Sequence, residues 1–203
     1  MTKTLTALAI TCSLKPSPAE SSSDLLGSQI LDALADHDVT GSLVRAVDHV
    51  ISPGVEADMG GDDEWPTLRQ RVLAADILVF VTPTWMGQHS SVAQRVLERL
   101  DAELAETDEQ GRPILFDKVA IAAVVGNEDG AHHIAAILFQ GLNDVGFTIP
   151  AQGSVYWNGE AMQTVDYKDL SKTPEKVAQA TSTAARNAAH LARTLSESGY
   201  PAE

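Results

Sequence analysis

The sequence predicts an α/β fold: a doubly wound, five-stranded parallel sheet with helices on both faces. Three observations carry this. Apolar runs alternate with amphipathic runs along the chain, an order that implies crossover connections between parallel strands. The runs at 5–10, 77–81 and 119–125 are apolar on both faces, as a sheet covered on both sides requires. Loops with small, hydroxyl and aromatic residues follow those same three runs, and ligands of open α/β sheets bind at the carboxyl ends of strands.

The elements follow in order. Residues 5–10 form the first strand. Leu26, Ile30 and Leu34 recur every four residues and give the first helix its buried stripe. A shorter second strand is expected at 43–47. Leu68, Val72 and Leu73 mark the second helix, with Pro66 in its first turn, where a missing N–H costs nothing. The third strand, 77–81, stops at Thr82 and Pro83, and Ser90 and Ser91 open a third helix striped by Val92, Val96, Leu100 and Leu104. The fourth strand is 119–125, and Ile134, Leu138 and Leu142 mark the fourth helix. Thr148 and Ile149, with 154–157, supply a split fifth strand. Val177, Ala180, Ala184, Ala188, Leu191 and Leu195 mark an alanine-rich closing helix. Segments 48–64, 103–113 and 159–173 read as loops or insertions, the second charged and solvated, and 199–203 as a frayed end. No repeat or domain-scale linker interrupts this order, so one domain over 1–203 is expected.

Composition narrows the function. With 28 acidic against 14 basic residues the net charge is −14, a surface that repels nucleic acid and anionic membrane. A phosphorylated ligand must then be held by local N–H groups against an unfavourable field. No apolar run reaches the about 18 residues of a membrane span, and the first strand is too short for a signal peptide, with Lys3 a poor basic leader. A single cysteine, Cys12, excludes an internal disulfide and reads as a packed residue, so a cytoplasmic location is the expectation.

Three loops carry the chemistry. The first, after strand one, places Ser13 in the loop and Ser21, Ser22 and Ser23 where the first helix begins. A helix N-terminus presents unpaired N–H groups and a positive dipole end, and serine hydroxyls there can donate to phosphate; N-capping accounts for one serine but not four. Neither G-x-x-x-x-G-K-[ST] nor G-x-G-x-x-G occurs, which disfavours triphosphate hydrolysis and a conventional dinucleotide fold. The second loop, Pro83, Thr84, Trp85, Met86, Gly87 and Gln88, is suited to pack against a planar ring, with Gly87 allowing close backbone approach. The third runs from Gly126 and Asn127 through Glu128 and Asp129 to Gly130, with His132 and His133 beginning the fourth helix. Adjacent helical residues diverge by about 100°, so the two histidines do not share a metal; one faces the ligand as a hydrogen-bond donor.

Together these loops resemble those of the flavodoxin-like fold, specifically its NAD(P)H-dependent FMN reductase and quinone reductase branch. Ser13 with Ser21, Ser22 and Ser23 occupies the places of the branch's G-S-x-R-x-x-G-N-T loop, and Pro83 to Gln88 is similar to its P-x-Y-W-G-S loop. Cys12 stands where a glycine is usual, and Trp85-Met86 where an aromatic pair is usual. The resemblance covers most of 4–157. It implies strand order 2-1-3-4-5 and FMN held by Ser13, Lys15, Ser21, Ser22, Ser23, Pro83, Thr84, Trp85, Met86, Gly87, Gln88, Gly126, Asn127, Gly130 and His132. It also implies NADPH or NADH as electron donor, two electrons passed to a small acceptor such as a quinone or flavin, and assembly as a homodimer or homotetramer. No side chain needs to act as nucleophile; His132 or Tyr156 is the candidate proton donor. Lys15, Arg69 or Arg71 would favour a 2′-phosphate on the nicotinamide cofactor. Two rivals remain: a flavodoxin-type electron carrier without its own turnover, and a cofactor-free α/β protein.

Overall fold

The computed structural model describes residues 4–160 and 163–202. In chain order these form β1 (Leu5–Thr11), α1 (Ser22–Ala35), β2 (Val39–Arg45), α2 (Trp65–Ala74), β3 (Ile77–Trp85), β4 (Gln88–His89), α3 (Ser91–Leu100), β5 (Val119–Gly126), α4 (Ala131–Asp144), β6 (Ser154–Asn158) and α5 (Glu175–Glu197). The sheet runs β2-β1-β3-β5-β6, all parallel, with β4 folded back antiparallel on the end of β3. Setting that hairpin strand aside, this is the flavodoxin-like order 2-1-3-4-5.

The strands are apolar on both sides because both sides are covered. Leu8, Ile10, Phe80 and Ala122 pack against α2, α3 and α4 through Trp65, Leu68, Val96, Ile134 and Leu138. Leu5, Ala9, Val79 and Ile121 pack against α1 and α5 through Leu26, Ile30, Leu34, Ala184 and Ala188. Alanines on α5 let that helix lie close to the sheet. Pro66 sits at the start of α2, and the fifth strand is split, Thr148 making a lone bridge to Val119 ahead of β6. No helix among the described residues is long and apolar enough to cross a membrane.

Four expectations need correction. The second strand is Val39–Arg45, not 43–47. It is an edge strand whose residues 40–42 are exposed, so its ladder with β1, not its hydropathy, sets its bounds. The third strand does not stop at Pro83. The carbonyl of Val81 faces β1, accepting the Cys12 N–H at 2.8 Å. Pro83, two residues on, faces the same side, where β1 has already ended, so its missing N–H costs no ladder bond. The strand continues to Trp85, with Pro83 in register with Val125. The third helix ends at Leu100, and a 3₁₀ turn, Asp101–Ala105, follows. Its tighter winding turns Leu104 outward, 58% exposed, and Glu103 inward, 1% exposed. Segment 103–113 is therefore not wholly solvated: Glu103 takes the Arg69 guanidinium in two bonds of 2.6 and 2.9 Å.

The remaining long segments are also tied down. Arg99, fully buried on α3, donates to the carbonyls of Ser52 and Glu56 and to Asp63, and lies over the Trp65 ring, gathering segment 48–64 onto the helix. Segment 159–173, of which 161 and 162 lie outside the described residues, folds over α1 through Tyr167, which donates to Gln29 at 2.6 Å, and the Lys168 amide, which donates to Ser22 Oγ at 3.2 Å.

Candidate functional site

The carboxyl ends of β1, β3 and β5 bring the three loops together. The first loop leaves β1 at Cys12, whose thiol is pushed far up by burial and is chemically quiet. Ser90 fixes the place where it leaves. Its Oγ donates to the Cys12 carbonyl at 2.6 Å and caps α3 by accepting from the Ala93 N–H, while its own N–H donates to Thr82 Oγ1 at 3.1 Å. One buried serine thus joins β1, β3 and α3 directly beneath the site. Its capping role is readable from its place before an apolar stripe; its bond to Cys12 spans 78 residues and is not.

The serines divide their work. Ser13 is buried and donates to the Lys15 carbonyl, Ser21 caps α1 by accepting from the Asp24 N–H, and Ser22 accepts from the Lys168 N–H. Ser23 is buried under the first turn. Three of the four hydroxyls therefore shape the loop. The anion-binding capacity lies in the first-turn N–H groups of α1, which precede any intrahelical acceptor. Asp24 would oppose an anion there, but it is neutralised: Arg45 bonds it at 3.0 and 2.5 Å and Thr11 Oγ1 donates to it at 2.7 Å. Arg45 also donates to the Lys15 carbonyl. Neither Arg45 nor Asp24 stands out in the sequence. A second carboxylate, Asp48, receives both the N–H and the hydroxyl of Ser17 at 2.7 and 2.6 Å, and the Ser17 hydroxyl holds its pKa below the ordinary range.

The second loop is a two-residue hairpin between β3 and β4. Met86 and Gly87 have φ of 52° and 72°, positive at both central positions as a type I′ turn requires. Trp85 is 53% exposed and Met86 90% exposed, so the pair projects from the sheet end rather than capping the core. Thr84 lies beneath, its Oγ1 buried without a partner.

The third loop packs on the second, backbone to backbone. A Cβ at Gly130 would stand 2.8 Å from the Cα and the carbonyl oxygen of Gly87, so only glycine allows this approach. Two further bonds lock the loops: the Met86 N–H donates to Glu128 at 2.5 Å, and Gln88 meets His133 Nε2 at 3.1 Å. The histidines diverge as helical geometry demands. His132 Nε2 lies 3.0 Å from the Tyr156 hydroxyl, the rings edge-on at 5.0 Å, so the two candidate proton donors form one pair. Asn127 donates to Asp166 at 3.1 Å, joining the loop to segment 159–173. Arg69 and Arg71 are not brought here: the first is held by Glu103, and the second reaches Ser42 on the exposed side of β2. Among the described residues no group of three or more His, Cys, Asp or Glu side chains is placed to hold a metal. A cleft of about 660 Å³ lined by Thr4, Asp38, Thr40 and Arg193 lies at the opposite, amino end of the sheet and shares no residue with the loops.

These residues fit a flavin mononucleotide. The first-turn N–H groups of Ser22 and Ser23, with that of Asp24 taken by Ser21, suit a phosphate, and neutralisation of Asp24 removes the charge that would repel it. The Gly87 side of the hairpin is open, a Cβ there meeting only the Asp129 carbonyl at 3.9 Å, and the orphaned Thr84 hydroxyl lies below.

Comparison with known proteins agrees. A "Divalent metal cation transporter MntH" of Mycobacterium bovis is 40% identical over 169 residues; the match takes in 81% of this chain but only 25% of that protein. The chain thus spans about a quarter of that relative's length. An 8-demethyl-8-aminoriboflavin-5′-phosphate synthase of Streptomyces davaonensis is 30% identical over 97% of this chain and 80% of its own. The crystal structure of RosB with bound 8-demethyl-8-formylriboflavin-5′-phosphate superposes with a TM-score of 0.87 at 29% identity, covering 97% of this chain and 82% of that one. Residues 5–161 match the family described as NADPH-dependent FMN reductase, and they span β1 through β6 with all three loops. The chain belongs to the NADPH-dependent FMN reductase family.

Proposed function

We propose that the protein passes two electrons from a reduced nicotinamide cofactor, by way of FMN in the three-loop site, to a small acceptor such as a quinone or flavin. The observation that carries this is the contact of Gly130 on Gly87, which makes one surface of the two ring-side loops beside the first turn of α1. FMN, when bound, supplies the hydride and electron chemistry; the chain supplies position and protons.

In this reading Ser13, Lys15 and the first turn at Ser21, Ser22 and Ser23 hold the phosphate. Pro83, Thr84, Trp85, Met86, Gly87 and Gln88 line one edge of the ring, and Gly126, Asn127, Gly130 and His132 the other. Exposed Trp85 and Met86 exclude water above the ring and offer an apolar surface to a planar acceptor. The Tyr156 hydroxyl, within hydrogen-bond reach of His132, delivers a proton to the reduced acceptor and recovers one from the imidazole. The exposed apolar hairpin tip also favours assembly as a homodimer or homotetramer, and the cytoplasm is the compartment that fits a lone unpaired thiol.

One observation favours a second reading, in which the bound flavin is the substrate. Both the 30% identical relative and the RosB structure carry names of modified flavin phosphates. One experiment separates the two. The purified protein is incubated with FMN, desalted, and mixed with NADPH or NADH without oxygen. Retained flavin that bleaches and then transfers electrons to a quinone supports the reductase. Bound flavin that does not bleach points to a carrier, and released flavin of altered mass points to flavin modification. No retained flavin would overturn the site.

A further inference from the structure

We infer that Lys168 grips the FMN phosphate at the start of α1, as a second cation beside Lys15. This rests on the reading above that FMN occupies the three-loop site.

Lys168 comes from segment 159–173, beyond the residues 5–161 that the family model matches. The Lys168 N–H donates to Ser22 Oγ at 3.2 Å, which fixes its backbone one hydrogen bond from the first residue of α1. The segment is anchored at two further points. Asp166 accepts from Asn127 in the ring-side loop, and Tyr167 donates to Gln29 on α1. The Lys168 ammonium bonds Asp169 at 2.7 Å and lies 3.9 Å from Glu20, in the loop that leads into the first turn. Its side chain is 26% exposed and Glu20 is 86% exposed. Ion pairs with that much solvent contact contribute little and exchange readily. A phosphate at the first turn offers the ammonium a doubly charged partner already aligned with helix N–H groups. In a chain of net charge −14 the first-turn amides would otherwise carry that charge with only the Lys15 ammonium to help, because the Arg45 guanidinium is committed to Asp24 and the Lys15 carbonyl.

The test compares FMN with riboflavin, which differ only in the phosphate, by fluorescence titration of the flavin-free protein. K168M is expected to raise the Kd for FMN about tenfold, the scale of one charge-assisted bond, and to leave the Kd for riboflavin unchanged. K168R restores most of the FMN affinity. D169N, which frees the ammonium from its competitor, tightens FMN about threefold without altering riboflavin, a gain that structural damage does not produce. K172M removes the same charge from an exposed position on the same segment and leaves both constants alone. If K168M keeps the wild-type ratio of the two constants, or weakens both flavins equally, the inference is overturned and Lys168 only braces the segment. If the wild-type protein binds neither flavin, the proposed function fails with it.

Discussion

Gly130 and Gly87 show how much can rest on single hydrogen atoms. With φ of 135° at Gly130 and a would-be Cβ 2.8 Å from the neighbouring backbone, Gly130→Ala must push the two ring-side loops apart. The variant is expected to lose about 1–3 kcal/mol in denaturant unfolding and to bind FMN at least about tenfold more weakly. Unchanged affinity in a folded variant would mean that the loop contact does not shape the ring site. Tyr156 tests a different role. Tyr156→Phe removes the hydroxyl that meets His132 but keeps the ring. Turnover with a quinone should fall about a hundredfold, while FMN affinity and the rate of flavin bleaching by the nicotinamide stay as they are. At this scale the sequence is readable where a residue type has few uses, as at Gly87 in a strand-end loop. It is silent where the use depends on a distant partner. The serine-rich start of α1 reads as an anion site, yet two of its hydroxyls serve the loop and the segment over it, and the neutralisation of Asp24 by Arg45 joins residues 21 positions apart.

Among elements, the clamp on segment 48–64 is the feature with measurable consequence. Arg99 and Asp63 are both fully buried, and removing one partner of such a pair leaves an uncompensated charge. Arg99→Ala is expected to cost about 3–5 kcal/mol and to release the segment, visible as faster amide exchange at 50–64. Burial works against the Asp63 carboxylate, but the N–H groups of Met59 and Ser52 and the Arg99 guanidinium outweigh it and hold its pKa below the ordinary range. A depressed carboxyl contributes its stability in full above the unfolded pKa and loses it as pH falls through the folded one. The stability gap between wild type and Asp63→Asn should therefore be constant near neutrality and close in acid, below about pH 4. A gap that persists in strong acid would show that packing, not charge, is what the pair contributes. Helices were legible here through their stripes, since burial on one face imposes a 3.6-residue period. Edge strand β2 and the continuation of β3 through Pro83 were not, because hydrogen-bond ladders decide both and ladders join residues far apart in sequence.

For the whole molecule, the net charge of −14 sets how an anionic ligand arrives. Long-range repulsion slows encounter and salt screens it, so the FMN association rate measured by stopped flow should rise with ionic strength, while that of riboflavin stays flat. A falling FMN rate would place a local positive field at the mouth of the site, stronger than the global one. The sequence by itself determined the alternation of strands and helices, the burial of the sheet on both faces and the positions of the three loops at the carboxyl ends of its strands. Each of these is written in local periodicity and composition. Only the tertiary structure decided what the loops touch: Gly130 on Gly87, His132 on Tyr156, Ser90 on Cys12, and Lys168 on the first turn of α1. Those pairings come from the crossover path of the chain, which brings strand ends distant in sequence to one edge of one sheet, and no local pattern encodes which residues meet there.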